Sequence, residues 1–284
     1  VRVRVVGLVG GAEAAANRDA AAGAVREAVR AGARLVVLPE YTSVYRHEGV
    51  GAADAEPLDG PFVTALRSAS AGAVVLAGTL TPVASPSGSS QPARRAHNTV
   101  VALADGAPAG TYAKVHLYDA FGDRESERLE AGDPAAAPLV VDVDGLRVGV
   151  LTCYDLRFPE SARRLVDAGA EVLVVPAAWA SGPLKDDHWR TLLRARAIES
   201  TCWVVGAPLR GRGLAGDPLV VDPSGVVVGE SPRSALPFGV PDGEPWPASG
   251  VTDVLDAELD PARVAEVRAT NPSLANRRYR VVPA

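Results

Sequence analysis

The sequence predicts a layered α/β fold with approximate internal symmetry, and three features carry that expectation. Strand-like apolar runs alternate with amphipathic helical segments along most of the 284 residues. The phrase AGARLVVLPE at Ala31 to Glu40 recurs as AGAEVLVVPA at Ala168 to Ala177, each time after an Arg-rich amphipathic stretch, which implies two related helix–strand units. Asp144–Gly145, between two apolar runs, is a strong two-residue hairpin signal.

Taken in order, Val1 to Val9 alternates apolar and basic residues before turning fully apolar, as a strand entering a core does. Asn17 to Ala31 spaces Ala21, Val25, Ala28 and Val29 as a helix face, and Gly32 stops it. Arg34 to Leu38 is a buried strand ended by Pro39. Pro61 to Ala71 reads as helix, Ala73 to Leu80 as strand, and Thr81 to Arg95, rich in Pro, Ser and Gly, as a surface loop. His97 to Ala104 and Thr111 to Val115 flank the turn-prone ADGAPAG as one hairpin; Leu139 to Val143 and Leu146 to Leu151 make the next. Between these hairpins, His116 to Asp133 is polar and acidic, a long loop of the kind that often carries function. Helix Pro159 to Ala168, strand Glu171 to Val175, helix Asp186 to Ser200 and strand Cys202 to Ala207 follow. Leu219 to Val221 and Val226 to Gly229 form a further hairpin, and Val251 to Leu259 with Pro261 to Ala269 a final strand and helix. The Gly- and Pro-rich Ser231 to Ser249 is expected to loop over or beside the site. No interdomain linker is visible, so residues 1–284 are expected to form one domain, with the tail 270–284 docking on a partner subunit.

A net charge of −5 with 22% charged residues leaves no basic footprint for nucleic acid or an anionic membrane surface, and no apolar run approaches a membrane span. A small-molecule partner is expected instead. Cys153 and Cys202 form no CxxC pattern, which suggests neither a disulfide framework nor a zinc site and fits a reducing cytoplasm. His47, His97, His116 and His188 show no HExxH or comparable spacing, so no metal is assigned, and no cofactor is expected. GxGxxG, Walker lysine and GxSxG patterns are also absent.

The chemistry concentrates in LRVGVLTCYDLRFPE, Leu146 to Glu160. An apolar strand stops, Pro159 suits the first turn of a helix, and Cys153 falls in the bend between them. Such a thiol is either a small buried hydrophobe or a nucleophile whose thiolate is favoured by backbone N–H groups and the helix dipole. Glu40 stands out because its counterpart in the repeated phrase is Ala177; Lys114 sits at the far end of the first hairpin. Each reads as a solvated charge or as part of a set converging at strand ends. A thiol, an ammonium that lowers its pKa and stabilises an oxyanion, and a carboxylate that shuttles protons are the parts of a hydrolase.

These residues resemble the nitrilase, or carbon–nitrogen hydrolase, superfamily. LVVLPE at Leu35 to Glu40, YAKVHLYD at Tyr112 to Asp119 and LTCYDLRFPE at Leu151 to Glu160 are similar to its glutamate, lysine and cysteine motifs, in the same order. HNTV at His97, RES at Arg124, VVPAAW at Val174, HWRTLLRARAIE at His188 and NPSLANRR near the end resemble the branch containing deaminated glutathione amidase and omega-amidase. The resemblance implies a four-layer αββα sandwich and a homodimer or larger homo-oligomer. It implies Cys153 as nucleophile, Glu40 as general base and acid, and Lys114 as transition-state stabiliser, with the Tyr154 backbone N–H completing an oxyanion hole. Glu125 matches a second glutamate that orients substrate and lysine, although Glu127 and Glu130 lie nearby. Arg157 matches a carboxylate-recognising arginine, with a structural ion pair as the alternative. The implied activity is hydrolysis of a small linear amide, one bearing a carboxylate, through a thioester. Acyl transfer from that thioester and N-carbamoyl amino acid hydrolysis are the alternatives. Gly10–Gly11 in place of a glutamine, Asp123 in place of a phenylalanine and Pro218 in place of a small polar residue depart from the pattern. The last two are expected near the pocket rim and bear on substrate choice.

Overall fold

The computed structural model describes residues 1–84, 95–231 and 249–283. Its first half contains β1 (Arg2–Val9), α1 (Ala14–Arg30), β2 (Leu35–Val37), α2 (Pro61–Ala69), β3 (Val74–Pro82), β4 (Ala96–Ala104) and β5 (Ala107–Ala113). The second half repeats the plan with β6 (Val140–Val143), β7 (Leu146–Val150), α3 (Pro159–Asp167), β8 (Val172–Ala177), α4 (Lys185–Ser200), β9 (Trp203–Pro208), β10 (Leu219–Val221) and β11 (Val227–Glu230). β12 (Gly250–Glu258) and α5 (Pro261–Thr270) follow.

The strands build two six-stranded sheets, ordered β12-β1-β2-β3-β4-β5 and β11-β10-β9-β8-β7-β6. In the first, β1, β2 and β3 run parallel and β4, β5 and β12 antiparallel; in the second, β7, β8 and β9 run parallel and β6, β10 and β11 antiparallel. The internal symmetry expected from the repeated phrase is therefore real. β2 and β8, the two copies, occupy matching places in opposite sheets.

Both faces of the central strands are buried, which explains their unbroken apolar runs. Val3, Val5, Leu35 and Val37 meet Val148, Val150, Val174 and Val205 between the sheets. On the outer faces, Val36 and Leu38 pack against Val25 of α1 and Leu66 of α2, while Leu173 and Val175 pack against Leu165 of α3 and Leu193 of α4. The result is the expected αββα sandwich. Each fully buried Val or Leu in it contributes roughly 1.5–3 kcal/mol. Among the described residues, no helix is long and apolar enough to cross a membrane.

Most boundaries agree with the sequence reading to within a few residues, and one hairpin differs. Its turn is Asp105–Gly106 alone, both residues left-handed at φ +49° and +78°, which is the geometry a two-residue hairpin requires. Ala107 to Gly110, expected in the turn, is strand: a bulge opposite Ala102 and Leu103 absorbs the irregularity, and Pro108 is tolerated because β5 is an edge strand. β3 continues to Pro82, two residues into the expected surface loop. Most of the rest of that loop, and all but the two end residues of the expected Ser231 to Ser249 loop, fall in 85–94 and 232–248, outside the described residues. In the tail, Arg277 pairs with Asp167 of α3, and Val281 to Pro283 border a cavity of the same chain beside Leu139 and Leu165.

Candidate active site

The ends of the strands bring Glu40, Lys114, Glu125, Cys153, Tyr154 and Arg157 around one cleft of about 170 Å³. Glu40 lies just beyond β2 on a turn closed by the bond from Gly78 N–H to the Pro39 carbonyl, 3.0 Å. That approach needs glycine, since a Cβ at Gly78 would lie 2.5 Å from Glu40 Cα. Lys114 follows β5, and its N–H still reaches the Asn98 carbonyl at 2.8 Å, so the ladder sets the lysine beside Asn98 of β4. Glu125 opens a short 3₁₀ turn in the long loop, and Cys153 opens another directly after β7.

The Lys114 ammonium donates to Glu40 Oε1 at 3.0 Å and to Glu125 Oε2 and Oε1 at 2.9 and 3.2 Å, with all three side chains at most 6% exposed. Burial works against the lysine's charge, but Glu125 and Glu40 outweigh it and hold the ammonium's pKa well above the usual range. Burial likewise opposes the charge on Glu125. Lys114, the Tyr41 hydroxyl and the Tyr118 N–H at 2.5 Å reverse that effect and hold its carboxyl below the usual range. Glu40 accepts from two further donors besides Lys114: Asn98 Nδ2 donates to Oε1 at 2.6 Å and the Ala178 N–H to Oε2 at 2.5 Å. Ala178 immediately follows β8, so the carboxylate of one repeat is held by the strand end of the other.

Cys153 has φ +48°, a left-handed conformation that costs a non-glycine residue on the order of 1–3 kcal/mol. Asp155, fully buried, holds the turn: Oδ2 accepts from the Thr152 N–H at 3.0 Å and from the Tyr112 hydroxyl at 2.8 Å, and Oδ1 from the His116 N–H at 3.2 Å. The expectation that a helix dipole and Lys114 favour a resting thiolate is corrected here. α3 begins only at Pro159, beyond the 3₁₀ turn Cys153–Arg157. Burial pushes the thiol well above its usual range, and the Glu40 charge and hydrogen bond push it further; Lys114 offsets only part of this.

Arg157 forms no structural ion pair with a described carboxylate. Its Nη2 lies 3.3 Å from His188 Nδ1, and the guanidinium stands 5.0 Å from the centre of the Trp179 ring and 5.9 Å from Phe121. Tyr154 lines the cleft one residue after the thiol, and its half-buried ring packs edge-on to Tyr118 and Phe158. Asp123 lines the cleft as expected, held by Arg128 at 3.1 Å. Pro218 is not among the described residues lining it; its carbonyl accepts the Ser231 N–H and extends the β10–β11 pairing instead. Among the described residues no group of three or more His, Cys, Asp or Glu side chains is arranged to hold a metal ion.

The carbon–nitrogen hydrolase family profile matches residues 2–269. The chain belongs to the carbon–nitrogen hydrolase family. It is thus an enzyme that hydrolyses carbon–nitrogen bonds other than peptide bonds. It is 37% identical to a hydrolase of Mycobacterium tuberculosis over 282 residues, covering 94% of this chain and 92% of that protein. It is 45% identical to a deaminated glutathione amidase of Escherichia coli O157:H7 over 185 residues, 65% of this chain and 63% of that one. Among solved structures, a CN-hydrolase superfamily protein of Xanthomonas campestris with an arsenic adduct in its active site superposes with a TM-score of 0.75 at 26% identity, covering 100% and 99% of the two chains.

Sequence reasoning missed several polar partners of this hydrolase's cleft. Asn98 stood within the quoted HNTV without a role, although a polar side chain in a buried strand was the available signal. Tyr41 and the Ala178 N–H carried no signal, because their partners are distant in the chain; Asp155 stood three residues after Thr152, whose N–H it caps, but its other partners, Tyr112 and His116, are distant.

Proposed function

We propose that the enzyme hydrolyses a small linear, carboxylate-bearing amide to acid and ammonia through a thioester on Cys153. The observation that carries this reading is the buried Lys114 ammonium bridging Glu40 and Glu125 in the cleft that holds the Cys153 thiol. The relatives named deaminated glutathione amidase support an amide as the substrate class.

The raised pKa of Cys153 makes the thiol the resting form, so its proton must leave as the sulfur attacks. Glu40, which lines the same cleft and whose charge acts on the thiol, takes it. The new C–S bond converts the carbonyl oxygen into an oxyanion, which Lys114 and the Tyr154 N–H stabilise. Glu40 returns the proton to the nitrogen as the C–N bond breaks, and ammonia departs. Water then attacks the thioester, giving its proton to Glu40; the C–S bond breaks and the proton returns to sulfur. Glu125 holds the lysine throughout, and Arg157 takes the substrate carboxylate.

Intact-mass spectrometry of the protein with a panel of amides tests this scheme. An adduct equal to the acyl group, lost in Cys153→Ala, is expected. Turnover by Cys153→Ala, or an adduct on another residue, overturns it.

A further inference from the structure

Lys185, the first residue of α4, has no part in the chemistry above, yet it lines the same cleft and is only 5% exposed. Its backbone is fixed by Trp179, whose indole N–H donates to the Lys185 carbonyl at 2.8 Å. The ammonium donates to the Tyr118 hydroxyl at 2.9 Å and stands 4.0 Å from the centre of the Phe121 ring and 5.8 Å from that of Trp179. Arg157 faces the same two rings. No carboxylate among the described residues pairs with either cation. The other charges at the mouth are matched, Arg46 with Asp54 and Arg128 with Asp123. Burial, then repulsion by Arg157, lowers the Lys185 pKa, as befits a cation held without a counter-ion.

We infer that Lys185 is a second anion-binding residue, paired with Arg157 in a two-cation clamp, and that the substrate class is amides carrying two acidic groups. A buried ammonium beside a guanidinium is costly in the empty cleft and is relieved when anionic groups enter. The rings of Phe121, Tyr118 and Trp179 steady both cations without neutralising them. A neutral amide leaves both charges unmatched, and a monocarboxylate matches one. The inference rests on the amidase reading above and adds to it the identity of the second anchor.

The test compares kcat/KM for three amides of equal chain length, neutral, monocarboxylate and dicarboxylate, in wild type, Lys185→Met, Lys185→Gln, Lys185→Arg and Arg157→Met. Each carboxylate is expected to raise kcat/KM of the wild type by about 10- to 100-fold, the range for a charge-assisted contact. Lys185→Met abolishes the gain from the second carboxylate. Lys185→Gln, which keeps a donor for Tyr118, also abolishes it; Lys185→Arg retains it. Arg157→Met lowers the ratio of anionic to neutral rates for both acids. A wild type indifferent to the second carboxylate, or a Lys185→Gln enzyme that keeps the gain, overturns the clamp. Absence of an acyl adduct with every amide overturns the amidase reading instead, so the two failures are distinct.

Discussion

Replacing Glu40 by glutamine separates the two duties assigned to that side chain. The glutamate accepts from Lys114 at 3.0 Å, Asn98 at 2.6 Å and the Ala178 N–H at 2.5 Å. Glutamine has the same shape but one acceptor oxygen. Its amide NH₂ must face either the Ala178 N–H or the Lys114 and Asn98 donors, leaving at least one buried donor unsatisfied at about 1–3 kcal/mol. The larger loss is catalytic. General acid–base transfer contributes about 10²- to 10⁴-fold, and Glu40 serves at both acylation and deacylation, so kcat is expected to fall about 10³-fold or more, roughly 4 kcal/mol of barrier. The thiol moves the opposite way: burial sets its raised pKa, but the Glu40 charge and hydrogen bond add to it, so Glu40→Gln lowers the pKa while activity collapses. Iodoacetamide alkylation followed by intact mass across pH 6 to about 11 reads the thiol, and steady-state turnover reads the base. A pKa that stays or rises, or a variant retaining more than about a tenth of wild-type kcat, refutes the role given to Glu40.

Three further outcomes follow from the same geometry. Gly78→Ala puts a methyl 2.5 Å from Glu40 Cα and must shift that backbone; kcat is expected to fall by about 10²-fold with the fold retained, checked by kinetics beside circular dichroism. Glu125→Gln leaves Lys114 one counter-ion and is expected to cost about 3 kcal/mol in urea unfolding, with wild-type stability arguing against the buried bridge. For pH dependence, the depressed carboxyl of Glu125 contributes stability that is present above its unfolded pKa of about 4.3 and lost as pH falls through the folded value. The raised Cys153 and Lys114 contribute stability present below about pH 8.5 and 10.4 respectively and lost as pH rises through their folded values. Urea unfolding should therefore weaken on both sides of a plateau between about pH 4.3 and 8.5, and stability that climbs steadily to pH 11 contradicts the assignment.

What the sequence disclosed depended on whether a signal was local. The repeated phrase isolated Glu40 because one copy ends in a carboxylate and the other in Ala177, and the sheets explain the asymmetry: the second strand end contributes the Ala178 N–H that holds Glu40. A second carboxylate at that place would meet the first, so the two copies had to diverge. Strand periodicity and Asp–Gly turns likewise exposed β7 and the bend carrying Cys153. Periodicity says nothing of dielectric surroundings, however. The dipole expected at Cys153 was a local inference, whereas the thiol's state is governed by burial and by Glu40, far away in the chain. Lys185 shows the same limit: it stands one residue before the helix expected at Asp186 to Ser200 and drew no reading from the sequence, and only the rings of Tyr118, Phe121 and Trp179 around it give it a meaning. Charge at this site is thus set by contacts between segments, and substrate selection should be sought in Lys185 and Asp123, where the cleft carries charges that its local motifs do not explain.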